Sequence, residues 1–144
     1  MHFSNLFSTA TLLAPTLAVS VTYNIIYDDA KRPLSKVACW NEEFGLKPGY
    51  NEWQTQGNIP RILAMDTITG PKSAACVTCW IIEYEDRARP FLAIDGAGSG
   101  FVLSLEGMNT LTNRKAEKLG RIDANATQVD MLNCGFGDPP YDEL

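Results

Sequence analysis

The sequence predicts a small all-β domain, a barrel or sandwich with minor helices. Two observations carry this. Short alternating or apolar runs at 21–27, 76–84, 91–94, 101–103 and 127–134 read as strands, and Gly/Pro turns punctuate the segments between them. Only two short stretches have helical spacing, which leaves too little helix for a layered α/β fold.

Residues 1–20 carry no Asp, Glu, Lys or Arg, and 6–17 is apolar apart from Ser8, Thr9, Thr11 and Thr16. Ala18-Val19-Ser20 fits a small-x-small cleavage site, so 1–20 reads as a secretory signal peptide. It is too short and too hydroxylated for a good transmembrane helix. The domain then spans 21–136, followed by a loose acidic tail over 137–144. Secretion implies an oxidising destination, where the four cysteines Cys39, Cys76, Cys79 and Cys134 form two disulfides. All 12 basic and 17 acidic residues follow Ser20, so the net charge of −5 belongs to the mature chain. That balance disfavours nucleic acid and anionic membrane as partners. The one histidine is His2, inside the leader. A mature chain without histidine has no Ser-His-Asp or Cys-His catalysis and no His-ligated zinc.

In order, 21–27 alternates Val21, Tyr23, Ile25 and Tyr27 on one face and predicts a first strand. A turn over 28–33 leads to a short buried strand or turn over 34–40, with Val37 and Cys39 on one face. The loop 41–57 holds Gly45, Pro48, Gly49 and Gly57, and Phe44, Leu46, Tyr50 and Trp53 make it a packed loop. Residues 59–65 are apolar and ambiguous between strand and short helix; a helix over 60–66 would make the domain α+β. A polar loop over 66–75 precedes a central strand over 76–84, a hairpin tip over 85–89 and a strand over 91–94. The run Asp95-Gly96-Ala97-Gly98-Ser99-Gly100 is no phosphate loop, because no Gly-Lys-Ser/Thr follows and a carboxylate heads it. After an extended 101–103, Ser104 caps a helix over Leu105, Met108 and Leu111; a further helical turn over 114–119 stops at Gly120. A last turn-and-strand unit runs from Ile122 to Cys134, with Val129, Met131 and Asn133 sharing a face.

Four cysteines allow three pairings. In a strand Cys76 and Cys79 point to opposite faces, so one can reach back to Cys39 and the other forward to Cys134. A lone CxxC without a second half implies neither metal nor cofactor. The chemistry-bearing candidates are carboxylates, Asp66, Asp95, Asp123 and Asp130, and sugar-stacking aromatics, Trp40, Trp53 and Tyr50, with Trp80 assigned to the core. Asn125-Ala126-Thr127 is an N-glycosylation sequon. The ending Asp142-Glu143-Leu144 follows Tyr141 instead of the basic residue of an ER-retention signal, so secretion is expected.

These residues form an ordered set. Val21 to Asp28 (VTYNIIYD), Val37-Ala38-Cys39 with Asn41 and Gly45-Leu46, Cys76-x-Thr78-Cys79-Trp80, Ile94-Asp95-Gly96, Gly120-Arg121-Ile122-Asp123 and Gln128-Val129-Asp130-x-x-Asn133-Cys134 together resemble the cerato-platanin family of small secreted fungal proteins. The resemblance implies a six-stranded double-psi β-barrel, related to the first domain of expansins, with pairs Cys39–Cys76 and Cys79–Cys134. It implies a non-catalytic protein of the wall or medium that binds chitin and N-acetylglucosamine oligomers. Some members loosen cellulose, many elicit plant defence through a plant receptor, and some self-assemble at interfaces. Asp95 matches the acid at the mouth of the sugar groove, Gly96 and Gly100 its Gly-rich loop, and Asn41, Gly45 and Leu46 the loop after the first cysteine. Trp40 and Trp53 would add stacking.

Some positions depart from that pattern. Glu43-Phe44 replaces an acid–His pair, and Trp40 a small polar residue. Leu92-Ala93 replaces Arg-Gly, and Ala97-Gly98-Ser99 lacks a basic residue. The groove should be more apolar and less positive. Two rival functions are a weak glucan hydrolase on Asp95 with Asp66 or Asp123, and a surface-active interaction protein without a sugar site.

Overall fold

The computed structural model describes residues 15–43, 45–47 and 52–135. Six strands form a closed mixed barrel: β1 (Thr16–Tyr23), β2 (Ile62–Met65), β3 (Thr78–Tyr84), β4 (Arg87–Gly96), β5 (Phe101–Leu103) and β6 (Ile122–Val129), in the spatial order β1-β5-β2-β4-β3-β6. β1–β5 and β2–β4 pair in parallel; the remaining pairs are antiparallel. The barrel, its two short helices and both disulfides, Cys39–Cys76 and Cys79–Cys134, agree with the fold implied by the resemblance.

Closure follows from alternation. Ile122, Ala124 and Ala126 of β6 are buried, with the residues between them exposed. They meet Val21 of β1 and Ile82 of β3 in register. Phe91, Leu92, Ala93 and Ile94 are buried in succession, as in a strand covered on both faces. Trp80 and Phe101 meet edge-to-face with ring centroids 5.7 Å apart, which places Trp80 in the core as expected.

Several boundaries differ from the sequence reading. The first strand ends at Tyr23, and Ile25–Asp28 is a 3-10 turn, because the Asn24 side chain accepts the Ile26 amide and starts a new element. Leu34–Lys36 is also 3-10, carrying the buried Leu34 ahead of Val37 and Cys39. The ambiguous run over 59–65 resolves to β2, so the helix over 60–66 does not form. The last unit divides into β6 and a 3-10 turn over Met131–Cys134, started by Asp130, whose carboxylate accepts the Leu132 amide. Cys76 lies outside the central strand, which begins at Thr78. Val77 has φ 58°, a left-handed conformation unusual for a β-branched residue. The two cysteines therefore diverge because the backbone turns at Val77, not because a strand alternates.

β1 begins at Thr16, inside the stretch read as leader, and pairs with β6 from Thr16↔Thr127 to Val21↔Ile122. α1 (Leu105–Thr112) starts at Ser104, whose hydroxyl accepts the Gly107 amide at 2.9 Å. Asp28 supplies a second cap, accepting the Leu105 and Glu106 amides at 2.7 and 3.0 Å. α2 (Ala116–Leu119) ends at Gly120, where φ is +69°.

Candidate functional site

The residues singled out by the sequence gather mainly at the end of the barrel where β4 terminates. Asp95 is the penultimate residue of that strand and is half-buried. Its Oδ1 accepts the Ala38 amide at 2.8 Å and the Gly96 amide at 2.9 Å, and its Oδ2 accepts the Tyr27 hydroxyl at 2.8 Å. One carboxylate thus joins the first 3-10 turn, the loop entering the first cysteine and the end of β4. An ionised carboxylate offers about four acceptor positions, so these donors leave about one free. Burial, and then the bond to Asp95, hold the Tyr27 phenol well above the usual tyrosine range, so it stays protonated and donates.

The loop after Ala38 follows from this anchor. The Cys39 amide donates to Ile94 O at 3.0 Å, Trp40 forms an isolated parallel bridge with Leu46, and the Asn41 amide donates to Leu46 O. Trp40 and Asn41 are half-buried two and three residues beyond the Asp95 contact. The Asn41 side-chain oxygen accepts the Glu43 amide. The expectation of a packed loop holds for Leu46, which is fully buried, and for Trp53, which packs against the core. Phe44 and Tyr50 lie outside the described residues.

The two matched glycines occupy places where side chains do not fit. A Cβ on Gly96 would stand 2.6 Å from Ile68 O. One on Gly100, where φ is +63°, would stand 2.6 Å from Ser20 O. The Gly100 amide donates to Asp66 Oδ2 at 2.9 Å and the Asp66 amide donates to Gly100 O at 3.1 Å, so Asp66 closes the Gly-rich loop against the end of β2. Asp123 is exposed on β6 opposite Ser20, and Asp130 caps the last 3-10 turn. Trp53 lies in another segment, where the neighbouring Gln54 accepts the Leu34 amide and Thr55 bridges Pro33. Asn125 is exposed on β6 between Ala18 and Glu83.

The sequence reading missed the support beneath Asp95. Arg32 lies over the Tyr27 ring at 6.0 Å and donates to Gln56 Oε1 at 2.8 Å. Gln56 is buried, and its amide nitrogen donates to Ile26 O and Asp29 O. Every polar atom of that side chain is used, as burial requires. No local signal marks Gln56, a polar residue in a polar loop whose partners are 24 to 30 residues away.

Among the described residues no helix is long and apolar enough to cross a membrane, and no group of His, Cys, Asp and Glu is arranged to hold a metal. The family model described as Cerato-platanin matches residues 19–136. The chain is 35% identical to Allergen Asp f 15 of Aspergillus fumigatus, over 92% of this chain and 93% of that protein. It is 30% identical to Cerato-platanin of Ceratocystis fimbriata f. sp. platani, over 89% and 95% of the two chains. Among solved structures it resembles cerato-platanin 1 of M. perniciosa, with TM-score 0.75 and 32% identity, covering 81% of this chain and 99% of that one. The match spans the barrel and both disulfides, and the chain belongs to the cerato-platanin family.

Proposed function

We propose that this chain is a secreted, non-catalytic protein that binds cell-wall glycan, with chitin or N-acetylglucosamine oligomers as the ligand class. The observation behind the reading is the geometry of Asp95: a half-buried carboxylate acceptor at the barrel end, fixed by three protein donors with about one acceptor position left. A sugar hydroxyl suits that position. Trp40, two residues beyond the Asp95 contact, supplies a ring face for stacking. Secretion accords with the leader composition and the two disulfides. Asn125, exposed on β6, accommodates an N-linked glycan.

Titration with an N-acetylglucosamine hexamer tests this. Saturable binding that weakens at least about ten-fold in Asp95→Asn is expected. Absence of saturable binding, or equal affinity in the variant, removes the groove.

A hydrolase would need a second carboxylate poised across the groove. Asp66 is committed to Gly100, and Asp123 faces outward on β6. Reducing-sugar release from glucan that disappears in Asp95→Asn would favour that rival. A second role is favoured by Ile25 and Ile26, 67% and 41% exposed beside Tyr27. Such an apolar rim suits activity at an interface, a plant receptor or self-assembly. One structural relative is described as a fungal elicitor, the solution structure of Cerato-Platanin, at 27% identity and TM-score 0.67. Film formation lost in a double Ile25→Ser, Ile26→Ser variant would assign the rim.

A further inference from the structure

Arg61 stands just before β2, and its carbonyl accepts the Leu92 amide at 2.9 Å, which places it against the middle of β4. Its side chain is half-buried, and its guanidinium makes no hydrogen bond or ion pair with any described residue. Arg89 is its charged neighbour, and the Arg89 guanidinium is spent only on its own strand, at Ala88 O. Beside Arg61 opens a cleft of about 130 Å³, walled by Pro60, Pro90, Asn133 and Gly135. No acid lines it. Asn133 uses its amide nitrogen on Asp130 O and so does not compete with Arg61 for an acceptor.

A partly desolvated cation beside a second cation is unfavourable unless an anion joins them. Burial first, and then Arg89, lower the Arg61 pKa below the usual arginine value. The chain as a whole runs against a basic site, with a net charge of −5. Arginine's planar fork matches a carboxylate through two parallel N–H···O bonds. The proline rings and Ile59 form an apolar wall against which the C–H face of a pyranose can lie. Along β4, Pro90 precedes Asp95 by five residues, about 16 Å of extended chain. The cleft is therefore separate from the Asp95 end.

We propose that the Arg61 cleft, with Arg89 as a second cation nearby, binds the carboxylate of a uronic acid oligosaccharide, a second glycan site that takes acidic wall polymers where the Asp95 end takes neutral ones. The choice of a sugar acid rests on the wall-glycan reading above; the choice of an anion does not.

The test is calorimetric titration of the secreted protein with a galacturonic acid trimer, alone and with N-acetylglucosamine hexamer present. Saturable uronate binding is expected, weaker at higher salt and unaffected by the neutral oligomer. Arg61→Gln should weaken it at least about ten-fold, and Arg89→Gln should weaken it less. Arg89→Gln, which gives up only a bond to Ala88 O, carries the test if Arg61→Gln does not fold. No saturable uronate binding, or affinity unchanged in the variants, overturns the site. A glutamate-rich peptide that binds as tightly, and is lost in the same variants, overturns the sugar assignment. Uronate binding without any N-acetylglucosamine binding supports this cleft and sinks the Asp95 groove alone.

Discussion

The Tyr27 hydroxyl donates to Asp95 Oδ2 at 2.8 Å, across 68 residues of chain. The next residue, Asp28, caps α1 through the Leu105 and Glu106 amides. Two adjacent side chains of one 3-10 turn thus fix Asp95 and the main helix to the N-terminal segment. Arg32 and Gln56 fix the turn itself from the other side.

Tyr27→Phe should destabilise the fold by about 1.5–3 kcal/mol at neutral pH, the usual worth of a hydrogen bond to a charged acceptor. It should also change the alkaline limb of the stability profile. The folded-state pKa of Tyr27 is raised, chiefly by burial and then by Asp95. Above about pH 10 the unfolded phenol loses its proton while the folded one keeps it. The unfolded state then binds fewer protons, and stability falls as pH rises. This contribution is fully present below about pH 10. Urea melts of parent and variant between pH 7 and 11 should converge toward the alkaline end. Parallel profiles would show that Tyr27 is not held protonated.

Asp95→Ala removes the acceptor for the Ala38, Gly96 and Tyr27 donors together. A loss of about 3 kcal/mol is expected, since buried donors left unpaired cost more than the bonds contributed. Combined with Tyr27→Phe, the double variant should be more stable than the sum of single losses implies, with a coupling of about 1 kcal/mol. Additive losses in urea would mean that the two groups act independently.

Much of this was legible from residue types. β5, the Ser104 cap, the stop at Gly120 and the burial of Trp80 follow from local rules that the tertiary structure leaves intact. Elements failed where a side chain redirected the backbone: Asn24 cut the first strand short, and Asp130 did the same to the last unit. Val77 adopts a left-handed turn that no propensity predicts, so the cysteine geometry was reached by a faulty premise. At the site, Asp95 and the glycines were marked by their motif. Tyr27 lay in the motif but read as a strand residue, and Arg32 and Gln56 were not marked at all, because their bonds span 24 to 30 residues and leave no periodic trace.

The two disulfides close segments of 37 and 55 residues. In the chain-entropy model each contributes about 4 kcal/mol, so their stabilities should be similar although their local effects differ. Opening Cys39–Cys76 by a double alanine substitution frees the loop that leads from Ala38 to Trp40, and glycan affinity should fall with stability. Opening Cys79–Cys134 frees the 3-10 turn over Met131–Cys134, which walls the Arg61 cleft, and uronate affinity should fall instead. Equal effects on both ligands would mean that only global stability had changed.

Processing of the N-terminus is constrained by the barrel seam. A cut after Ser20 would leave Val21↔Ile122 alone to join β1 to β6. It would also remove Val19, which packs against the core, and Ser20, whose carbonyl sits under Gly100. Thr16, Leu17 and Ala18 are all exposed, and Thr16-x-Ala18 is itself a small-x-small site. The family match starts at residue 19. A cut after Ala18 keeps the pairs Val19↔Ala124, Ser20↔Asp123 and Val21↔Ile122, and it opens the cleft over Trp80 that Leu17 lines. Intact mass and Edman sequencing of the secreted protein should therefore give Val19 as the first residue. A form beginning at Val21 should lose about 2–3 kcal/mol from one partly buried valine and two ladder positions, lowering Tm by roughly 10 °C. A natural N-terminus at Val21, with a Tm equal to that of the form beginning at Val19, would show that the seam closes without these residues.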